Sequence, residues 1–578
     1  MRLPRVPISP QSKDVVETFY GYNHHLKIRR GEMYDTLNLS TRDFPMLATR
    51  KRRGMVRKLT KPQGLLAKDK LLWVDNGTLY YDGAATPVTG LSDGHKQLVS
   101  MGAYVVIFPD KMYFNTQDPT DYGSMEFTQT MPTGETYALC NVSGADLPYV
   151  TSDTAPTDPS NGSYWYDTAH NSLKQWSEAR TEWVTVSTVY TRITFTGLPY
   201  QLTQYFKEHD GVEISHSRYP TVLDGTKAIY AVGPDYIVVV GLIDTQDPTQ
   251  ASQGIILSRT VPQMDFVCES QNRLWGCYYG KGADGKMLNE IYCCALGDFK
   301  NWRSYMGLST DSWTASVGSD GPWTGAVSYL GYPTFFKEAT SHRVTISPRG
   351  AHSIVESPER GVQQGSDRSL SIVNEILLYK SRQDIVAFQG GFPQAVSEPL
   401  GDEMYYDAVG GTVGAYYYIS MRDAQNHWSL FCYDIANKIW AKEDDLHLTD
   451  MARLDDSLYA LDADGVLWDL TGAVGEKETR LPWMAQSGIL YYEYQNKKYT
   501  SRYDIMLSAP AGTRAELFLQ YDSDGVWRYS GKVHFKGLNS VTIPVRPRRC
   551  NHMELRIMGE GEIKIYSITR ILEQGSDV

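Results

Sequence analysis

Short apolar, aromatic-rich runs recur along the chain, each broken by a turn of Asp, Asn or Gly and answered by a second such run. The pattern is clearest in Leu71-Leu-Trp-Val-Asp-Asn-Gly-Thr-Leu-Tyr-Tyr-Asp-Gly83 and Leu458-Tyr-Ala-Leu-Asp-Ala-Asp-Gly-Val-Leu-Trp-Asp-Leu-Thr-Gly472. Asn-Gly and Asp-Gly supply the positive φ angles that tight hairpins demand, so both segments read as β-hairpins. Looser versions follow at Tyr104–Phe114, Asn272–Tyr279 with Glu290–Leu296, Glu375–Tyr379 with Asp384–Phe388, and Ala415–Ser420 with Ser429–Tyr433. A hairpin unit returning roughly every forty residues, without a long helical period, predicts an all-β β-propeller of about six blades.

The pattern lapses between about 123 and 259. There the Pro-rich, polar stretch Thr151 to Ser163 leads into Tyr164-Trp-Tyr-Asp167, Leu173, Trp176 and Trp183-Val-Thr-Val186, with further strands at Val189–Phe195, Gly211–Ser215, Lys227–Ala231 and Asp235–Gly241. This reads as a small inserted β domain at a loop tip. After Gly472 several runs alternate strictly, among them Lys498–Leu507, Ala515–Tyr521, Ser540–Pro544 and Met553–Ile557, and Glu562–Tyr566 is expected to pair with the last of these across Gly559-Glu-Gly561. One apolar and one polar face per strand predicts an antiparallel β-sandwich. The expected organisation is therefore a propeller from 1–122 and 260–475, an insertion at 123–259, and a C-terminal sandwich at 476–578.

Composition supports the all-β class: 40 Tyr, 13 Trp and 16 Phe in 578 residues favour half-buried pleated surfaces. The formal net charge of −11 leaves no global basic field for nucleic acid or an anionic membrane, so any contact with DNA must be local. The longest aliphatic run, Tyr236 to Ile243, has 8 residues, where a spanning helix needs about 20. The opening Met1-Arg-Leu-Pro-Arg-Val-Pro7 lacks the apolar run of a secretory signal, which predicts synthesis and maturation in the cytoplasm. Seven Cys without a C-x-x-C pair read as reduced core thiols.

The search for catalytic chemistry returns formal matches only. Gly90-Leu-Ser-Asp-Gly94 fits G-x-S-x-G but lacks the buried strand and following helix of a nucleophile elbow. Gly280-Lys-Gly-Ala-Asp-Gly285 approaches a phosphate loop, yet Met287 stands where Ser or Thr would hold magnesium, so it reads as a hairpin loop. His24-His25 lacks local partners for a metal and reads as a pair of loop histidines. Gly318–Trp323 and Asp522–Trp527 are similar to the Asp-box turns of sialidase-like propellers, where the motif is structural. No cofactor or metal site and no enzyme activity is predicted.

The densest charge feature is Arg50, Lys51, Arg52 and Arg53, followed by Arg57 and Lys58. Such a cluster can line a DNA passage through salt-sensitive, sequence-blind attraction, or can form a solvated loop or ion pairs to a neighbouring subunit. In the DNA case, replacing residues 50–53 by Ser is expected to leave the fold intact while particles leak genome or eject it with altered salt dependence; in the subunit case the same change is expected to block ring attachment. Arg546, Arg548 and Arg549 form a smaller group with an expected structural or subunit-contact role.

Three stretches carry a family resemblance. Phe19-Tyr-Gly-Tyr-Asn23, Gly31-Glu-Met33 and Asn38–Leu47 resemble the opening of tail hub and nozzle proteins of short-tailed bacteriophages. Met264–Glu269, Asn272–Gly276 and Leu296–Trp302 resemble their blades, and Gln520–Trp527, Pro547–Cys550 and Leu555–Ile557 resemble the closing segment of this packaged-DNA stabilisation group. The resemblance implies a virion tail protein, a hexameric ring below the portal and adaptor that meets tail-tip or receptor-binding proteins. It also implies weak, non-specific contact with packaged double-stranded DNA and no catalytic residues. From a different class, a propeller glycosidase or depolymerase, or a glycan-binding receptor protein, fits the same hairpin pattern.

Overall fold

The computed structural model describes residues 11–243, 251, 253–347, 350–491, 497–511, 513–534 and 537–574, so the opening heptapeptide lies outside the described residues. Seven sheets form the propeller. Blades 1 and 2 span 62–85 and 97–124, and blades 3 to 6 span 266–316, 325–358, 371–395 and 406–444. Blade 7 combines Leu448–Leu454, Ser457–Asp462 and Val466–Asp469 with Gly54–Lys58, and Glu476–Lys477 adds outside that strand. Gly54–Lys58 precedes blade 1 in sequence yet completes blade 7, which ties the ring closed.

Alternation of side chains explains why the blade strands read as continuous apolar runs. A blade is covered on both faces by its neighbours, so successive residues enter different cores. In blade 1, Leu72 and Val74 pack against blade 2 while Leu71 and Trp73 pack against blade 7. In blade 2, Val105 and Ile107 face blade 1 while Val106 and Phe108 face blade 3. Among the described residues seven such inter-blade cores run round the ring. There is one blade more than the expected number of about six. Blade 4 accounts for part of the difference: its Gly325–Tyr329 and Tyr332–Phe336 meet at Leu330-Gly331, a turn without the Asn-Gly or Asp-Gly signature.

Between blades 2 and 3 the chain forms three further sheets from Phe127 to Arg259. Two of them enclose an apolar core that includes Ile193, Val212, Ile237 and Leu257; the third, 149–185, packs Tyr166 and Leu173 onto it.

The terminal sandwich differs from expectation in two respects. Residues 11–49 do not belong to the propeller: Gln11–Val16, Leu39–Ser40 and Leu47–Thr49 join one sandwich sheet and Met33–Leu37 joins the other. Gln11–Val16 pairs antiparallel with Lys564–Gln574, and Met33–Leu37 with Pro482–Ser487. These strands are short and half polar and lack the paired apolar runs of a blade, so they bury themselves as additions to longer C-terminal strands. The second difference is that Met553–Glu560 and Lys564–Gln574 do not form a hairpin. The chain crosses at Gly561, and the two strands enter opposite sheets, pairing with Arg514–Tyr521 and Lys498–Ala509.

Candidate functional site

The basic cluster sits where the sandwich meets blades 6 and 7, and the structure divides it. Arg50 and Arg53 point inward. Arg53 is only 2% exposed, donating from Nη1 to Asp444 Oδ2 (2.6 Å) and from Nη2 to Glu443 Oε2 (2.7 Å). Arg50 donates to both oxygens of Glu478 (2.6 and 3.1 Å) and from Nε to Asn38 Oδ1 (2.8 Å). The Arg53 backbone N–H donates to the same Glu478 (2.8 Å). Burial alone would raise the Asp444 and Glu478 carboxyls; Arg53 outweighs it at Asp444 and Arg50 at Glu478, holding both below their ordinary values.

The other cations behave differently. Arg52 caps the carbonyls of Glu478 and Thr479 at 2.8 Å, while Lys51 is exposed. Arg57 and Lys58 stand exposed on the outer strand of blade 7, with Arg57 near the rings of Trp73 and Tyr80. Charges on that strand blunt an edge that would otherwise invite pairing. The expectation that residues 50–53 form one DNA- or subunit-facing patch replaceable by Ser is therefore corrected. Arg50 and Arg53 spend their charge within the chain, and only Lys51, Arg57, Lys58 and part of Arg52 face outward.

Local geometry explains the tight junction. Gly21 has φ +75°, and a Cβ there would run into the Trp440 carbonyl oxygen, so only glycine lets residues 19–23 lie against blade 6. His24 stacks on Tyr34 (4.3 Å between centroids), and His25 Nε2 lies 2.8 Å from the Glu398 carbonyl oxygen. Both histidines thus belong to this junction.

The innermost strands converge at the propeller axis. Gly411 lets the innermost strands of blades 6 and 7 approach closely, because a Cβ there would meet Met451 Cβ at 2.7 Å. A groove of about 320 Å³ among the innermost strands of blades 5, 6 and 7 carries Arg368, Asp450 and Arg453. At this end His95 Nε2 lies 3.0 Å from Asp450 Oδ1, and Arg368 donates to the Thr449 carbonyl (2.6 Å). Burial first, and then Asp450, raises the Asp367 carboxyl against the pull of Arg368 and His95. Sequence reasoning missed this group because its members come from three distant segments without a shared motif.

The formal motifs fall in turns. Gly280–Gly285 lies in the hairpin joining Arg273–Lys281 to Met287–Cys293, and Gly90–Gly94 in the connection from blade 1 to blade 2. Trp323 is a packing residue between blades 3 and 4. All seven cysteines are free and buried, and burial pushes the Cys140 and Cys550 thiols up to about 11.

One face of the ring carries exposed apolar side chains. The turns joining first to second and third to fourth strands of antiparallel blades share a face. On it stand Leu330 (53% exposed) and Tyr332 of blade 4 and Phe392 of blade 5 (81% exposed). Phe392 also borders a cleft of about 290 Å³ with Tyr329 and Arg343.

Sheet topology thus defines a seven-bladed β-propeller protein with an inserted β domain and a terminal β-sandwich. No family model and no curated protein matches the chain. Among solved structures it is similar to BamB from Moraxella catarrhalis, at 12% identity over 73% of this chain and 97% of that one, with a TM-score of 0.32. An exo-β-1,3-galactanase from Phanerochaete chrysosporium is similar at 9% identity over 53% and 94%, TM-score 0.23. A puromycin-hydrolysing peptidase from Mycobacterium tuberculosis is similar at 9% over 71% and 61%, TM-score 0.24. No residue role is carried over from them.

Proposed function

We propose that the chain is a structural component of a short-tailed bacteriophage tail, assembling with further copies into a ring below the portal and adaptor that encloses the DNA exit channel. The observation that supports this reading is the exposure of Leu330, Tyr332 and Phe392 on one propeller face, since large exposed apolar side chains on a rigid β scaffold favour a protein contact. Its occupant in the ring is a second copy of the chain. In this reading the duplex passes between copies of the chain. Lys51, Arg57 and Lys58 supply the weak, sequence-blind attraction, and an otherwise acidic chain lets DNA slide.

The test is imaging of native particles alongside the Leu330→Ser/Phe392→Ser variant. A ring is expected in wild-type particles, and its loss in the variant without a change in thermal midpoint. Monomers in native particles would overturn the proposal. One observation favours a second reading, hydrolase chemistry: burial, with Asp450 adding to it, raises the Asp367 carboxyl above its ordinary value, and a carboxyl raised by its surroundings near a second carboxyl is a feature of glycoside hydrolysis. Glycan turnover abolished by Asp367→Asn would reverse the ranking.

A further inference from the structure

The terminal sandwich holds a second feature, a cavity of about 390 Å³ at one end of the space between its sheets. Val16, Phe19, Leu555 and Ile568 supply its apolar lining, and Asp14, Arg30 and Arg570 its charged part, with Val16 and Ile568 two residues along the same strands from Asp14 and Arg570. Pairing of Gln11–Val16 with Lys564–Gln574 sets Asp14 opposite Arg570, and pairing with Lys498–Ala509 sets Arg570 opposite Tyr503. The three side chains therefore form one row across the inner face of the sheet.

Arg570 is 3% exposed and incompletely satisfied. Its Nη2 donates to Asp14 Oδ2 at 2.9 Å, its Nη1 reaches the Leu490 carbonyl only at 3.4 Å, and its buried Nε–H has no hydrogen-bond partner. The other Asp14 oxygen is taken by Arg30 Nη2 at 2.6 Å. One carboxylate thus answers two guanidiniums, while Arg29 and Glu32 at the rim neutralise each other at 2.8 Å. The wall is left with one positive charge in excess. A guanidinium prefers a planar anion with two oxygens, and a single excess charge matches a monoanion better than a dianion. The volume lies in the range of small-molecule sites, which pair a largely apolar lining with a few placed polar groups.

We propose that this cavity binds an amphipathic monocarboxylate, its apolar body against Val16, Phe19, Leu555 and Ile568 and its carboxylate on the unpartnered Nε–H of Arg570. The site stands apart from the proposed ring contact and does not rest on it.

Isothermal titration of the full chain with decanoate, decanol and acetate tests the assignment. Decanoate should bind, with decanol and acetate each at least about tenfold weaker. Asp14→Asn removes the competing carboxylate and should tighten decanoate by roughly tenfold, the worth of one charge-assisted hydrogen bond. Asp14→Asn/Arg570→Gln removes the proposed seat while leaving the net charge of the lining unchanged, and should weaken decanoate by at least about tenfold. Ile28→Trp, on the partly exposed rim, narrows the cavity without touching an ion pair and should abolish binding if the double variant fails to fold. No decanoate binding by the wild-type chain, equal binding of decanol, or binding unchanged by Ile28→Trp would each overturn the proposal.

Discussion

Replacing Arg53 by Met asks whether the buried charges fasten the sandwich to the propeller. Arg53 makes two charge-assisted hydrogen bonds, to Glu443 at 2.7 Å and Asp444 at 2.6 Å. Glu443 is 2% exposed, and its remaining ion pair is with Arg50 at 3.7 Å among the described residues. Removing one partner of a buried ion cluster leaves the others uncompensated, at a cost of about 3–5 kcal/mol. The loss falls at the junction of two lobes with separate cores, so calorimetry of the variant at pH 7.5 should show the sandwich melting ahead of the propeller, where the wild type melts later or as one unit. Lys51→Ser, on exposed chain, should stay within about 0.5 kcal/mol of wild type. The pH dependence has a definite sign. Asp444 and Glu478 are held below their ordinary values in the folded chain, so their contribution is present above the unfolded value of about 4 and is lost as pH falls through the depressed folded values. Without Arg53, burial dominates at Asp444 and its folded value rises. The deficit of the variant should therefore be largest at neutral pH and shrink on acidification. A variant that melts as wild type, or a deficit that grows on acidification, would refute the reasoning.

Two further outcomes test other joints of the fold. Gly21→Ala should cost several kcal/mol in thermal denaturation, where an unstrained glycine replacement would instead stabilise by about 0.4–1 kcal/mol, because both its φ of +75° and the Trp440 carbonyl oppose a Cβ. At the junction of insertion and blade 3, burial and then Asp298 push Asp210 up to about 6. Its contribution to stability should be complete below about pH 4 and fall by on the order of 3 kcal/mol as pH rises through 6. Asp210→Asn should flatten that limb of a thermal-midpoint profile between pH 4 and 7.5.

The propeller was legible because its hairpins carry local chemistry: Asn76-Gly77 sits in a tight turn with both residues at positive φ, and Leu71 to Val74 is buried on alternating sides as a strand covered on both faces must be. What local pattern could not disclose was membership. Gly54–Lys58 looks like any short strand, and only the ring makes it the closing strand of blade 7, beside residues some four hundred positions away. Residues 11–49 were assigned to the propeller by adjacency in sequence, whereas Thr36 pairs with Ala485 and Asp14 with Arg570. Partners so distant are chosen by the edges that remain to be covered, and a single strand does not encode that.

The basic run shows the same limit in its electrostatics. Four consecutive cations repel one another and require opposing charge, and the sequence offered phosphate or the carboxylates of another subunit as candidates. The answer lay within the chain: Arg50 and Arg53 are both buried, and Gly54 beside them lies against the Val474 carbonyl, where a Cβ could not fit. The two arginines then meet Glu443 and Asp444 from the outer strand of blade 6 and Glu478 from the passage into the sandwich, while Lys51 between them is left in solvent. A charge run therefore specifies that counter-charge is needed. The fold decides which members are answered internally, and only the unanswered ones, Lys51, Arg57 and Lys58, are available to a partner.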